Sequence, residues 1–244
     1  MLPFLLVSTR PEDEAIEAEH RSFLRASGLT PDALEQVRLD MVGLPDIDIR
    51  AYSGILVAGS PYGTTTPEDR KPPTQKRIEE ELAGLLSDIV PTGTPCLTTG
   101  YGTEVSTVLR GGVVTTRWAE LPSIVEIDLT RDGLEDPLLE GFPASFHTYV
   151  GHHEAVETLP EGAVVLARSL TCPVQMMRLG PAFYATQFNP ELDSDVIRSR
   201  LSTYEDAGYS GTDDLDSLVL MGREGPGRHQ AGVILRRFVE MFAR

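Results

Sequence analysis

"PCLTTGYGTEV", residues 95–105, runs a buried apolar strand straight into the start of a helix, with a glycine at the corner. A strand that turns sharply into a helix lifts the corner residue above the sheet, aims helix-end amides at it and lends it the positive end of the helix dipole. Many α/β hydrolytic enzymes mount a nucleophile on such a turn, in a backbone conformation that is strained for residues with a side chain. Here the apex is Gly100, which has no Cβ and relaxes that strain. The stretch predicts an α/β fold that builds the holder for a reacting group and leaves the group out.

Working outward, "PFLLV" (3–7) and "SGILVAGS" (53–60) are short apolar runs ending in turn residues, the pattern of strands covered on both faces. Between them, residues 12–27 follow a helical period with Ile16, His20, Phe23 and Leu24 on one face. The strongest helix is 74–90, where Ile78, Leu82, Leu85, Leu86 and Ile89 recur at helical steps and Thr74 is placed to cap. The helix after the corner should stop at Gly111 and Gly112. From about residue 113 the runs "VVTTR", "SIVEIDLT", "FHTYVG", "AVVLARS", "VQMMRLG" and "AFYATQF" read as strands between Gly, Pro and Asp turns. Residues 193–244 read as helix in two pieces, split by "EDAGYSGTDD" and again by "GREGPGR". The expectation is one α/β domain over 1–244: a doubly wound, mostly parallel sheet flanked by helices, with a small antiparallel β insertion. Its core spans 3–192 and a helical extension follows over 193–244.

Lys and Arg number 21 against 37 Asp and Glu, a formal charge of −16, so the averaged field repels nucleic acid and anionic membrane surfaces. The amino-terminal apolar run has no basic residues before it and no small-residue cleavage site after it, which argues against a signal peptide. Cys96 and Cys172 lie far apart without metal-type spacing and suit a reducing cytoplasm, the expected location. His147, His152, His153 and Glu154 cluster in sequence, but neighbours on a strand point to opposite faces, so no metal and no cofactor are expected. "GREGPGR" is like a phosphate loop only in its glycines, without the Lys-Ser/Thr ending. The loop 60–74 reads either as a lid or as a polar surface connection.

"GTPCLTTGYGTEVSTVLRGGVV", "VAGSP" (57–61), "VGHHEAVETLPEGAVVLARS" (150–169) and "CPVQMMRLGPAFYATQFNPEL" (172–192) together resemble class I glutamine amidotransferases, a flavodoxin-like family, and within it the group similar to the glutaminase domain of GMP synthase. In that family a cysteine within Gly-x-Cys-Tyr-Gly attacks the side-chain amide of glutamine, and Phe-His-Pro-Glu supplies the histidine base and the glutamate that orients it. The matching residues are Gly100, Asn189 and Glu191, so thiol and base are both missing and Glu191 is left without a partner to orient. The resemblance implies oxyanion donors at the backbone amides of Ser60 and Tyr101. It implies ligand contacts at Gly59, Glu104, Gly151 and His152, with the Glu104 carboxylate repelling an acidic ligand.

The expected function is therefore a glutamine amidotransferase-like protein without glutaminase activity, holding a small amino-acid-like ligand or acting in regulation. Two alternatives are an active amidotransferase or hydrolase with an unusual nucleophile, Cys96 being its leading candidate, and a regulatory subunit serving a synthetase or transferase in trans. A homodimer is possible, and a stable monomer or homodimer with a ligand-filled pocket would favour the first reading over the regulatory subunit.

Overall fold

The computed structural model describes residues 1–41, 43–193, 196–197, 215–224 and 228–244. Five parallel strands form one block: β1 (Phe4–Ser8), β2 (Leu34–Arg38), β3 (Gly54–Val57), β4 (Cys96–Thr99) and β11 (Phe183–Thr186). Their spatial order is β2-β1-β3-β4-β11, a doubly wound arrangement whose winding reverses between β1 and β3. Helices α1 (Asp13–Ser27), α2 (Pro73–Thr92) and α3 (Tyr101–Leu109) lie between these strands in the chain. Beyond β11 the same sheet continues antiparallel through β10 (Met176–Leu179), β9 (Ala163–Arg168), β6 (Glu120–Leu129) and β7 (Ser145–His152). A single helical turn, α4 (Arg131–Leu134), follows β6 in the chain. A separate pair, β5 (Val113–Thr115) and β8 (Ala155–Thr158), packs beside the main sheet. The strand-rich insertion thus enlarges that sheet instead of standing apart from it.

Alternation along β1 explains why the sheet is covered twice. Phe4 and Leu6 enter one core and Leu5 and Val7 the other, as do Leu56 against Ile55 and Val57 on β3. Two helices, α5 (Leu215–Arg223) and α6 (Gly232–Phe242), close the carboxyl-terminal part, and Phe238 of α6 sits in the first core edge-on to Phe4 and Tyr184 at 6.3 and 6.2 Å. In the second core the apolar stripe of α2, Ile78 to Ile89, meets β1 and β3. Cys96 is buried there, where burial raises its thiol pKa and keeps it protonated.

Two elements differ from the sequence reading. Strand β2, "LEQVR", carries no apolar run because it is the edge of the sheet and only Leu34 is buried, so nothing in the pattern announced it. Helix α2 starts at Pro73 with Pro72 in the capping position, so Thr74 lies inside the first turn and caps nothing. The splitting segment "EDAGYSGTDD" lies outside the described residues. No helix among the described residues is long and apolar enough to cross a membrane.

Phe238→Ala should lower the free energy of unfolding by about 3–5 kcal/mol, measured by urea denaturation. Leu170→Ala, at a fully exposed position, should change it by less than about 0.5 kcal/mol.

Candidate functional site

The carboxyl ends of β1, β3, β4 and β11 release the chain on one side of the sheet, where the reversal of winding opens a crevice. Gly100, between β4 and α3, has φ 48° and ψ −111°. Its N–H donates to the Thr186 carbonyl at 2.8 Å, and its own carbonyl accepts from Thr103 and Glu104 N–H at 2.8 and 3.1 Å. These bonds tie the corner to β11 on one side and to the first turn of α3 on the other. A Cβ placed at Gly100 would meet Asn189 Oδ1 at 3.7 Å and the Gly59 Cα at 4.0 Å, both ordinary contacts. The corner therefore has room for a side chain and faces Asn189. At Gly59 the opposite holds: a Cβ would come within 2.9 Å of Asn189 Nδ2 and 3.3 Å of Arg10 Nη2, so glycine lets both side chains approach the loop.

A cavity of about 420 Å³ occupies the crevice, lined by Gly59, Ser60, Gly100, Tyr101, Glu104, Gly151, His152 and Asn189 among others. The positions marked in sequence thus converge, with one exception. Glu191 lies behind the lining, 1% exposed, and its Oε1 accepts from Asn189 Nδ2 at 2.9 Å. The expectation that Glu191 lacks a partner is corrected: an amide N–H supplies the donor.

The cavity also contains a carboxyl pair. Glu154 accepts from the backbone N–H and hydroxyl of both Thr64 and Thr65, with Thr64 Oγ1 at 2.7 Å and Thr65 N at 2.8 Å. Burial alone would raise its pKa, but the hydrogen bonds from Glu104, Thr65 and Thr64 prevail and hold it below the usual carboxylate range. Glu104 goes the other way: burial first, then the charge and hydrogen bonding of Glu154, push it well above that range. Its protonated form donates to Glu154, and it accepts from Gln187 Nε2 at 3.0 Å. The expectation of a repelling carboxylate at Glu104 is corrected on this ground. The same bonds draw the 60–74 loop across the opening, with Tyr62, Thr65 and Thr66 on the lining, so the loop covers the cavity.

His152 bonds Glu120 Oε2 through Nε2 at 2.7 Å and the Glu154 carbonyl through Nδ1 at 3.1 Å. Cys172 joins these two in the described residues' one group with metal-like spacing, ligand atoms within 4.8 Å, in place of His147, His153 and Glu154. The group is satisfied internally: Glu120 also accepts from Gln175 Nε2 at 2.7 Å and from Thr171, and burial pushes the Cys172 thiol up to about 12. Neither Cys96 nor Cys172 is on the cavity lining.

Sequence reasoning missed Arg10, whose Nε donates to buried Glu19 at 2.7 Å and which borders the cavity, and Gln187, with its link to Glu104. Gln187 was within reach, since it precedes Asn189 by two residues at the end of a strand that faces the corner. Arg10 follows β1 with no motif around it.

No family model matches the sequence. The chain is 28% identical over 167 residues to a GMP synthase (glutamine-hydrolysing) of Cellvibrio japonicus, a match covering 65% of this chain and 29% of that protein. A GMP synthase (glutamine-hydrolysing) subunit of Methanoculleus marisnigri is 30% identical over 122 residues, covering 50% and 64%. The match thus spans less than two thirds of the length of either of these relatives. A γ-glutamyl-L-1-hydroxyisopropylamide hydrolase of Pseudomonas sp. is 27% identical over 224 residues, covering 81% and 73%. A solved glutamine amidotransferase of Thermotoga maritima superposes with TM-score 0.77 over 99% of this chain and 98% of that one, at 17% identity. These relatives, together with the shared fold, support a class I glutamine amidotransferase-like family for this chain.

Because Glu104 has a higher pKa folded than unfolded, its contribution to stability is fully present below the ordinary value of 4.5 and is lost as pH rises toward the folded value. Glu104→Gln keeps a donor toward Glu154 and an acceptor for Gln187 while removing the ionisation. Its free energy of unfolding, measured by urea denaturation from about pH 5 to 8, should gain on that of the parent as pH rises, by up to about 1.4 kcal/mol per pH unit. A difference that is constant with pH contradicts the neutral assignment.

Proposed function

We propose that this protein binds a small amino-acid-like ligand in the cavity and does not hydrolyse glutamine. The observation that carries this reading is the pairing of Gly100 with Asn189 at the two places where the family holds its thiol and its base. Amide cleavage by covalent catalysis needs an electron-rich atom at the corner and a proton acceptor beside it, and an amide side chain cannot accept a proton near neutral pH. Asn189 supplies a donor to Glu191 and so preserves the geometry of a base without its basicity. In this reading the backbone amides of Ser60 and Tyr101 hold an oxygen of the ligand, since backbone donors survive side-chain change. Gly59, Glu104, Gly151 and His152 shape the rest of the contact surface, and neutral Glu104 favours ligands that accept a hydrogen bond there.

The alternative of an active enzyme with another nucleophile is weakened by the two cysteines, both buried, protonated and off the lining. The similarity to one subunit of a GMP synthase favours a second reading alongside the first, in which the cavity reports ligand occupancy to a synthetase partner in trans.

Purified protein incubated with glutamine should release no more glutamate or ammonia than a buffer control, and turnover well above that control would overturn the proposal. Gly100→Cys combined with Asn189→His should restore measurable glutaminase activity, while either change alone should not. The Cβ at 100 has space, and the positive φ there costs the variant about 1–3 kcal/mol of stability.

A further inference from the structure

Outside the family cavity, a second cleft of about 730 Å³ opens between the start of α6, the 141–143 turn and the face of β7. Arg223, Arg228, Arg236 and Arg237 all line it, on a chain whose formal charge is −16. Two of them are the arginines of "GREGPGR", the segment that reads in sequence as a mere linker. Arg223, Arg228 and Arg236 are exposed, and among the described residues none of the three has a carboxylate in ion-pair reach. Arg237 is fixed in direction, its Nη1 donating to the Glu140 carbonyl at 2.8 Å and its guanidinium lying 5.4 Å above the Phe142 ring. Among the described residues the one acidic group lining the cleft, Asp193, is engaged by Arg25, with Nε to Oδ2 at 3.0 Å.

Two further features border the cleft. Helix α6 begins at Gly232 with no side-chain cap at Ala231, and Gly232 and Val233 of its first turn border the cleft, so the positive end of an 11-residue helix faces it. His229 stacks on Tyr149 at 5.2 Å, and its Nδ1 accepts from the Tyr149 N–H at 3.3 Å. A backbone N–H can only donate, so the ring hydrogen is on Nε2, which is buried and turned to the Pro190 carbonyl. Burial pushes the His229 pKa down to about 4, which keeps this tautomer neutral.

We propose that this cleft binds an oligophosphate, an inorganic or organic small ion with linked phosphate groups, gripped by Arg223, Arg228, Arg236 and Arg237 at the amino-terminal end of α6. A guanidinium fork asks for a pair of oxygens, and four forks ask for more than a single phosphate presents. Long polyanions are disfavoured by the field of the whole chain, which leaves compact ones that fit inside the cleft. Tyr149 walls off this cleft from the cavity beside Gly100, so the two sites stand or fall separately.

Isothermal titration of the full chain with sodium tripolyphosphate at fixed ionic strength tests the assignment. Saturable one-to-one binding is expected, with sulfate at least about tenfold weaker. Arg228→Gln with Arg236→Gln should weaken tripolyphosphate binding by about tenfold or more, with an unchanged melting temperature. Arg117→Gln, outside the cleft, should leave binding as it is. ADP binding more tightly than tripolyphosphate supports the site with a nucleotide as its source, and weaker ADP binding supports an inorganic one. Absence of saturable heat, equal affinity for sulfate, or double-variant binding equal to the parent overturns the proposal. Tighter binding of a polyglutamate peptide also overturns it, in favour of an acidic protein partner.

Discussion

Everything around the cavity is referred to the hydrogen-bonded corner at Gly100. One backbone bond to Thr186 locks β4 to β11, and two from the first turn of α3 lock the helix to the strand it leaves. Because β11 carries Gln187 and Asn189 just past its end, the same bonds fix how far those side chains stand from the corner. Only a residue at ease with positive φ closes such a turn without strain, and glycine does so at no steric cost. The architecture keeps the corner although no thiol stands at its apex, because the corner also joins the two halves of the sheet.

Around that corner the polar groups pair with one another. Asn189 bonds Glu191, protonated Glu104 donates to Glu154, and the Thr64 and Thr65 donors converge on the same carboxylate. A buried charge is tolerated when surrounded by donors, and Glu154 has four from one loop. The cover over the cavity and the ionisation of its floor are thus one interaction: the loop stabilises the carboxylate and the carboxylate holds the loop. Burial and the neighbouring charge of Glu154 push Glu104 toward its neutral form, outweighing the one hydrogen bond from Gln187.

Legibility in the sequence varied with the kind of signal each element emits. The strands that end in "LLV", "ILV" and "CLTT" are buried on both faces and announce themselves as apolar runs, whereas β2 at the edge buries one residue and is silent. Gly59, Ser60, Gly100, Tyr101, Gly151, His152 and Asn189 could be brought together on paper because they sit in motifs at strand ends. Arg10 could not, since its place follows from the direction of β1 and the ion pair with Glu19. The basic cleft was equally hidden: its arginines come from two helices and a connecting segment, and no spacing in the chain predicts that they share one opening.

From residue order alone come the α/β alternation, the doubly wound core, and the absence of a thiol and an imidazole at two motif positions, because these depend on local periodicity and on the identity of single side chains. The tertiary structure alone decides that Glu191 has a donor, that Glu104 is pushed toward its neutral form and that the 60–74 loop lies over the cavity. Those properties arise from burial and from contacts between residues tens of positions apart, and a pKa or a hydrogen bond belongs to the surroundings of a group as much as to the group itself.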